Sequence, residues 1–513
     1  MMMKAPKIFA IAMIFLVLAL LASPAYAHGF GQRYDLPVPL NMFLIGAGAT
    51  VALSFVVIGL FVSRRGVEFR YPRLNLLRVS VVGPVLSRSA LNAAIGIVSV
   101  AVFSLVVVAG LFGVNEPIDN FAPTFVWIIW WVGMGYITAL VGNIWALLNP
   151  WKITYEWAEK TLKRDEAKPP RFQYPERLDV WPAALLFFMF AWTENVYSGA
   201  SRPFNLAILV IAYSVITWAG MAAFGKHQWL RHGEAFTVLF GFFSRFSPTE
   251  VRVTDRNLCL SCGVACDVSE PDCVDCYQCF EQAAPEHREL NLRPFAVGLT
   301  LPRRVSTATA AFVVLALATV TFDGFQDTPT WADIQKTTLD LSENWGGNPL
   351  DTIGTIGLVF VPILFALVYL GFSWGIRRLG QTQTSVADVA RVFVFSLVPI
   401  ALAYNLAHFI SLLIIQGQLI IPLVSDPFGF GWNILGTADY RLNLNAINAR
   451  IVWYISVSAI VVGHIVSVYV AHIISLREMP DHASALRSQY PMLALMVSYT
   501  ATSLWIIAQP IVG

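Results

Sequence analysis

Apolar stretches of about twenty residues, the length that crosses a bilayer as a helix, recur along almost the whole chain with short polar segments between them. The pattern predicts ten spans: 40–62, 91–113, 124–148, 181–197, 205–224, 305–322, 352–376, 389–415, 450–474 and 491–509. Neither the two-residue alternation of half-buried strands nor an internal repeat stands out against these runs. The expected fold is therefore all-α, a polytopic membrane protein of about ten transmembrane helices. Pro399 lies inside the eighth span, where its missing N–H predicts a kink.

The flanks of the runs add direction. Met1–Ala27 has Lys4 and Lys7, an apolar core from Ile8 to Ala22, and Ala25-Tyr26-Ala27 as a small-x-small cleavage pattern, so it reads as a secretory signal peptide. Arg64, Arg65, Arg70, Arg73, Arg78 and Arg88 follow the first span, and the 149–180 segment is rich in Lys and Arg. The segment between the second and third spans carries only Glu116 and Asp119. The positive-inside rule then places both mature termini outside and the segment 225–304 in the cytoplasm. The expected organisation is a signal peptide at 1–27, five spans in 28–224, a cytoplasmic surface helix and cysteine-rich loop in 225–304, and five spans in 305–513. Trp127, Trp130 and Trp131 at one end of the third span, with Trp145 and Trp151 at the other, suggest an interfacial aromatic belt. The stretch 233–246, amphipathic, short and flanked by Arg231 and Arg245, reads as a helix lying on the inner surface.

Composition agrees with this class: 57% of residues are hydrophobic and 13% charged. The net charge of +2 is too small to suggest a nucleic-acid partner. All six cysteines, Cys259, Cys262, Cys266, Cys273, Cys276 and Cys279, fall within one short segment. Thiolates two residues apart grip metal ions, and a cytoplasmic position disfavours disulfides, so zinc or an iron–sulfur cluster is expected here. Redox-sensing thiols are the other reading of the same residues.

Within the apolar runs, ionisable side chains are costly and call for a partner or a task. His408 lies about 12 Å from the outer end of its span and His464 about 20 Å from the outer end of its own, at 1.5 Å per residue. Asn405, three residues before His408, is on the same face and could accept from its ring. Glu194 and Asp323 sit near outer ends of spans. A mature terminus at His28 would add an amine and an imidazole. Carboxylate and imidazole together suit zinc, manganese or a similar divalent ion, so Glu194, His28, His408 and His464 are candidate ligands, with Glu194 and Asp323 as candidate catalytic groups. There is no H-E-x-x-H helix or G-x-x-x-x-G-K-[ST] loop in the chain.

Several stretches carry a family resemblance: Ala27-His28-Gly29 with Asp35-Leu36-Pro37, the run from Trp181 to Asn195, Gly233-Glu234-Ala235-Phe236, Phe322-Asp323-Gly324-Phe325, Leu397 to His408, Ser425-Asp426-Pro427, Gly463-His464 and Ala471-His472. Together they resemble the bacterial multi-span proteins labelled fenitrothion hydrolase, from His28 to about His472. The resemblance implies a metal-dependent, membrane-bound hydrolase that cleaves organophosphate triesters such as fenitrothion or parathion, receiving an apolar small-molecule substrate in the bilayer of a bacterial inner membrane. The cysteine segment stands outside the shared pattern. Two other functions compete: a transition-metal transporter with the histidines as its path, and a membrane electron-transfer protein with haem between His408 and His464. Cleavage after Ala27 predicts that N-terminal sequencing of the purified protein begins His-Gly-Phe. A chain still starting at Met1 would remove the terminal amine as a ligand.

Overall fold

The computed structural model describes residues 36–62, 71–86, 88–163, 170–262, 273–301, 305–339 and 348–512. The leader Met1–Ala27, His28 and Cys266 lie outside the described residues. The chain is mostly helical, and among the described residues nine helices are long and apolar enough to cross a membrane. They are Leu40–Phe61, Ser89–Phe112, Phe121–Leu140, Pro203–Phe224, Thr307–Gln326, Pro349–Leu379, Val386–Leu423, Ala449–Glu478 and His482–Gln509. The expected fourth span forms a helix of only 15 residues, Trp181–Asn195. At 1.5 Å per residue it reaches about 22 Å, short of the ~30 Å hydrocarbon thickness.

The chain divides into two compact units. The first comprises Met1–Phe69, Val305–Ser411 and Asn445–Gly513. In it Leu40–Phe61 packs on the last two long helices, with Phe43 edge-on to Trp453 at 5.3 Å and Phe55 beside Tyr490 at 5.9 Å. His472 is fully buried there, its Nδ1 2.9 Å from Gln489 Oε1 and its Nε2 3.0 Å from the carbonyl of Val62. It thus ties three helix ends together through both ring nitrogens. Before Pro399 the helix tightens into a 3-10 turn at Val394–Leu397, then resumes as Val398–Ile415, the local adjustment a missing N–H requires. Gly463 allows that segment a close approach: an added Cβ would lie 2.4 Å from Ala403 Cβ and 2.8 Å from the Pro399 carbonyl oxygen.

The second unit comprises Arg70–Arg304 and Leu412–Leu444. It contains a four-stranded antiparallel sheet that the apolar pattern did not predict: β1 (Leu74–Asn75), β2 (Thr249–Val253), β3 (Cys273–Val274) and β4 (Arg288–Leu292), in the order β1-β4-β2-β3. The five-residue register of β2 on β4 runs from Thr249 opposite Leu292 to Val253 opposite Arg288. The expected tryptophan belt is instead an aromatic core. Trp131, Trp145 and Trp151 are buried, Trp130 packs edge-on to Phe236 at 4.6 Å, and Trp131 does the same with Phe190 at 4.6 Å. Thr124–Val132, which carries three of these tryptophans, is wound as a wide π-helix, a form that is rare and redirects side chains. The expected surface helix is also different. Ala235–Ser244 is buried on nearly every side, and only Thr237 and Gly241 are partly open. Its sequence is apolar all round, so one face in lipid headgroups and one in water was never available to it.

The close approach at Gly463 predicts that Gly463→Ala overpacks the helix pair and costs roughly 1–3 kcal/mol. Gly371→Ala is the control, since a Cβ there meets nothing within 4 Å. Thermal unfolding in detergent should show a lowered midpoint for Gly463→Ala alone; equal midpoints for the two variants would contradict the packing described.

Candidate functional site

Asp323 lies in the last turn of Thr307–Gln326, and His408 in the middle of Val398–Ile415. Both helices are apolar along their length, so two titratable groups here are expected to meet. They do: His408 Nε2 is 3.0 Å from Asp323 Oδ2. An ionised carboxylate only accepts, so this contact puts a proton on Nε2, and in the neutral ring Nδ1 then carries the lone pair. The His408 side chain is 12% exposed and that of Asp323 24%. The ring is braced by Phe409, edge-on at 4.6 Å, and by Tyr404, stacked at 6.1 Å one turn earlier. Tyr404 fits because residue 324 is glycine; a Cβ there would sit 2.2 Å from the Tyr404 hydroxyl. The acceptor facing the ring is thus a residue 85 positions away in the chain, beyond the reach of any local pattern.

The other expected ligands have separate surroundings. His464 is buried, with Nδ1 2.7 Å from the Ile460 carbonyl one turn back in its own helix, and its ring lies 5.8 Å from that of Tyr499. Its Nε2 has no hydrogen-bond partner. Glu194 is half-buried in the last turn of Trp181–Asn195 and belongs to the second unit, whereas Asp323, His408 and His464 belong to the first. Among the described residues, every grouping of three or more metal-ligating side chains is made of cysteines.

Those groupings are two triangles of sulfur atoms: Cys259, Cys273 and Cys279 in one, and Cys262, Cys276 and Cys279 in the other, each with its atoms within 4.8 Å of one another. None of the five cysteines is in a disulfide. Cys276 Sγ is 3.4 Å from Cys279 Sγ and 4.0 Å from Cys262 Sγ. Four thiolates on one zinc, with Zn–S bonds near 2.3 Å, stand about 3.8 Å apart, so soft, closely spaced sulfurs at these distances fit a tetrahedral thiophilic ion. The scaffold explains the spacing. Asp255 caps the helix Arg256–Ser261 by accepting from Asn257 N at 3.0 Å and Leu258 N at 3.2 Å, which sets Cys259 and Cys262 at its end. Cys273 is fixed by pairing opposite Val253 in the sheet. Cys276 and Cys279 open the helix Tyr277–Gln282, whose far end is held by Arg288 Nε donating to the Ala283 carbonyl at 2.7 Å.

Beneath this segment lies a buried ion pair. Arg293 Nη1 is 2.8 Å from Glu250 Oε2, with neither side chain exposed. Arg73 Nε meets Glu250 Oε1 at 2.6 Å, and the Tyr71 hydroxyl donates to Oε2 at 2.7 Å. Burial alone would raise the Glu250 carboxyl, but Arg293, Tyr71 and Arg73 more than offset it and hold the group below the ordinary carboxylate range.

A second buried carboxylate, Glu234, was not among the expected site residues. It caps Ala235–Ser244, accepting from Phe236 N at 3.0 Å and Thr237 N at 2.7 Å, and from the Tyr213 hydroxyl at 2.5 Å. Asn149 Nδ2 and Trp145 Nε1 lie 3.4 and 3.5 Å away. The helix N-terminus and this ring of donors account for a carboxylate with no exposure at all. Its sequence signals were a charged residue directly before a largely apolar run and its place in Gly233-Glu234-Ala235-Phe236.

No protein-family model, no curated protein and no solved structure matches the chain. The buried pair at Glu250 generates a prediction with a definite sign. A folded-state value below the unfolded one gives stability that is present above the unfolded pKa of about 4.3 and is lost as pH falls through the folded value. Glu250→Gln leaves Arg293 buried without its partner, and should cost ~3–5 kcal/mol at neutral pH. Hydrogen-exchange protection in β2 and β4, taken relative to the intrinsic rate at each pH, should therefore be lower in the variant at pH 7, with a smaller further loss in acid than in the natural protein. Identical exchange in the two proteins at both pH values would show that the pair contributes nothing.

Proposed function

We propose that this chain is a membrane-embedded hydrolase in which His408, oriented by Asp323, is the general base that activates water. The observation that carries the reading is the 3.0 Å contact between His408 Nε2 and Asp323 Oδ2 at the end of two apolar helices. A carboxylate on one ring nitrogen raises the basicity of the other and fixes its direction, the arrangement hydrolases use to take a proton from a nucleophile. In the proposed step, water attacks phosphorus while Nδ1 takes its proton. The phosphorus–aryloxide bond breaks, and the aryloxide leaves with its electron pair. The substrate class, a neutral apolar phosphotriester, comes from the family resemblance in the sequence and suits a site reached from lipid.

A divalent ion such as zinc or manganese would polarise the phosphoryl oxygen in this reading. Asp323 is the described carboxylate beside His408. The cysteine segment has a separate role in the proposal. Its thiolates hold a structural metal ion, because a segment with so few apolar residues gains its order from ligation. The charge bias supports an orientation with both termini outside and the cysteine segment in the cytoplasm of a bacterial cell. In that topology the short Trp181–Asn195 helix supplies the tenth crossing.

Turnover of paraoxon or fenitrothion by detergent-purified protein tests the pair. Asp323→Asn keeps size and hydrogen bonding but favours the wrong tautomer of His408, so kcat should fall about 10²–10⁴-fold with a smaller change in KM. His408→Gln should fall at least as far. Folded variants with turnover within threefold of the natural protein would sink the assignment.

A further inference from the structure

We propose that the cysteine segment binds two metal ions rather than one, with the Cys279 thiolate as a ligand shared by both. The proposal rests on the metal-binding reading of this segment and specifies its nuclearity.

The division of the sulfurs points to two centres. In a mononuclear zinc knuckle both cysteines of a C-x2-C pair hold the same ion. Here two of the three such pairs are split, and only Cys276 and Cys279 share a triangle. Cys259 falls in one triangle and Cys262 in the other; Cys273 joins Cys259, and Cys276 joins Cys262. Only Cys279 is common to the two groups, and it is also the most deeply enclosed of the five, with no exposure. A single tetrahedral ion would need four sulfurs drawn together, whereas the described sulfurs gather in threes about a common apex.

Each triangle also joins separate pieces of chain. The first links the helix Arg256–Ser261, strand β3 and the helix Tyr277–Gln282. The second links the residue after the first helix, the residue capping the second helix, and the first turn of that helix. An ion in either triangle alone would leave the other junction unbraced. Chemistry permits the sharing, because a thiolate sulfur carries enough lone pairs to bridge two soft or borderline cations. Charge permits it too: with all five thiols ionised as ligands, two divalent ions offset four of the five thiolate charges. Zinc suits the spacing and tetrahedral demand of each triangle, and cobalt(II) is its spectroscopic substitute.

The test is a cobalt(II) titration of the full-length protein, metal-stripped under reducing conditions and followed by EPR and by native mass spectrometry. Binding should saturate at two ions per chain. The high-spin signal should grow to the first equivalent and fall toward the second, as a bridging thiolate couples the two ions antiferromagnetically. Cys259→Ser and Cys262→Ser should each retain one tightly bound ion, whereas Cys279→Ser should weaken both sites. Saturation at one ion would overturn the two-ion proposal while leaving the metal-binding reading intact. Two ions with a signal that grows linearly throughout would overturn the shared sulfur. No binding by folded protein would overturn both readings together. The titration of the natural protein decides among these outcomes even where a variant fails to fold.

Discussion

A bilayer gives polar groups no water to turn to, and that constraint governs everything chemically interesting in this chain. Each ionisable side chain in the helices of the first unit has to be answered by another group. His472 is answered twice, by Gln489 and by the Val62 carbonyl, and reads as a structural tie. His464 is answered once, by the carbonyl of its own preceding turn, and keeps an unengaged nitrogen in the interior. His408 is answered by a carboxylate, which is the only one of the three arrangements that prepares a ring for proton transfer. Three histidines in similar apolar sequence thus differ in chemical capacity through their partners alone.

The second unit solves the same problem with more polar material. Glu234 gathers backbone and side-chain donors at a helix start, and Glu250 gathers Arg293, Arg73 and Tyr71. Both are fully enclosed carboxylates. Glu234 is positioned inside an aromatic core that a belt of tryptophans was expected to leave at the membrane surface. Glu250 anchors the sheet from which the cysteines project. A small sheet with strands of two to five residues buries little apolar area, so the buried ion pair is what holds its parts in register, and the proposed thiolate ligation would add to it.

The long helices were legible because hydropathy over twenty residues is a strong signal and their caps and breaks follow from Pro and Gly. Pro399 announced its turn in this way. The helix Trp181–Asn195 was legible from its apolar composition, but its 15 residues make it shorter than the nine long helices. The sheet was invisible: β1 and β3 are two residues each, too short for any period to register. The cysteine spacing pointed to a metal, but the division of two of the three C-x2-C pairs is a fact of three-dimensional placement. Asn405 was the partner that local helix geometry offers His408; Asp323 comes from another helix, and only the fold brings it to 3.0 Å.

The central claim is that Asp323 and His408 act as one unit. A double-mutant cycle in triester turnover tests it most directly, using Asp323→Asn, His408→Gln and the pair of substitutions together. Residues that serve a single proton transfer give grossly non-additive losses, so the double variant should be no slower than His408→Gln alone. If the two losses instead multiply, each residue is acting through something other than its partner, and the account is wrong.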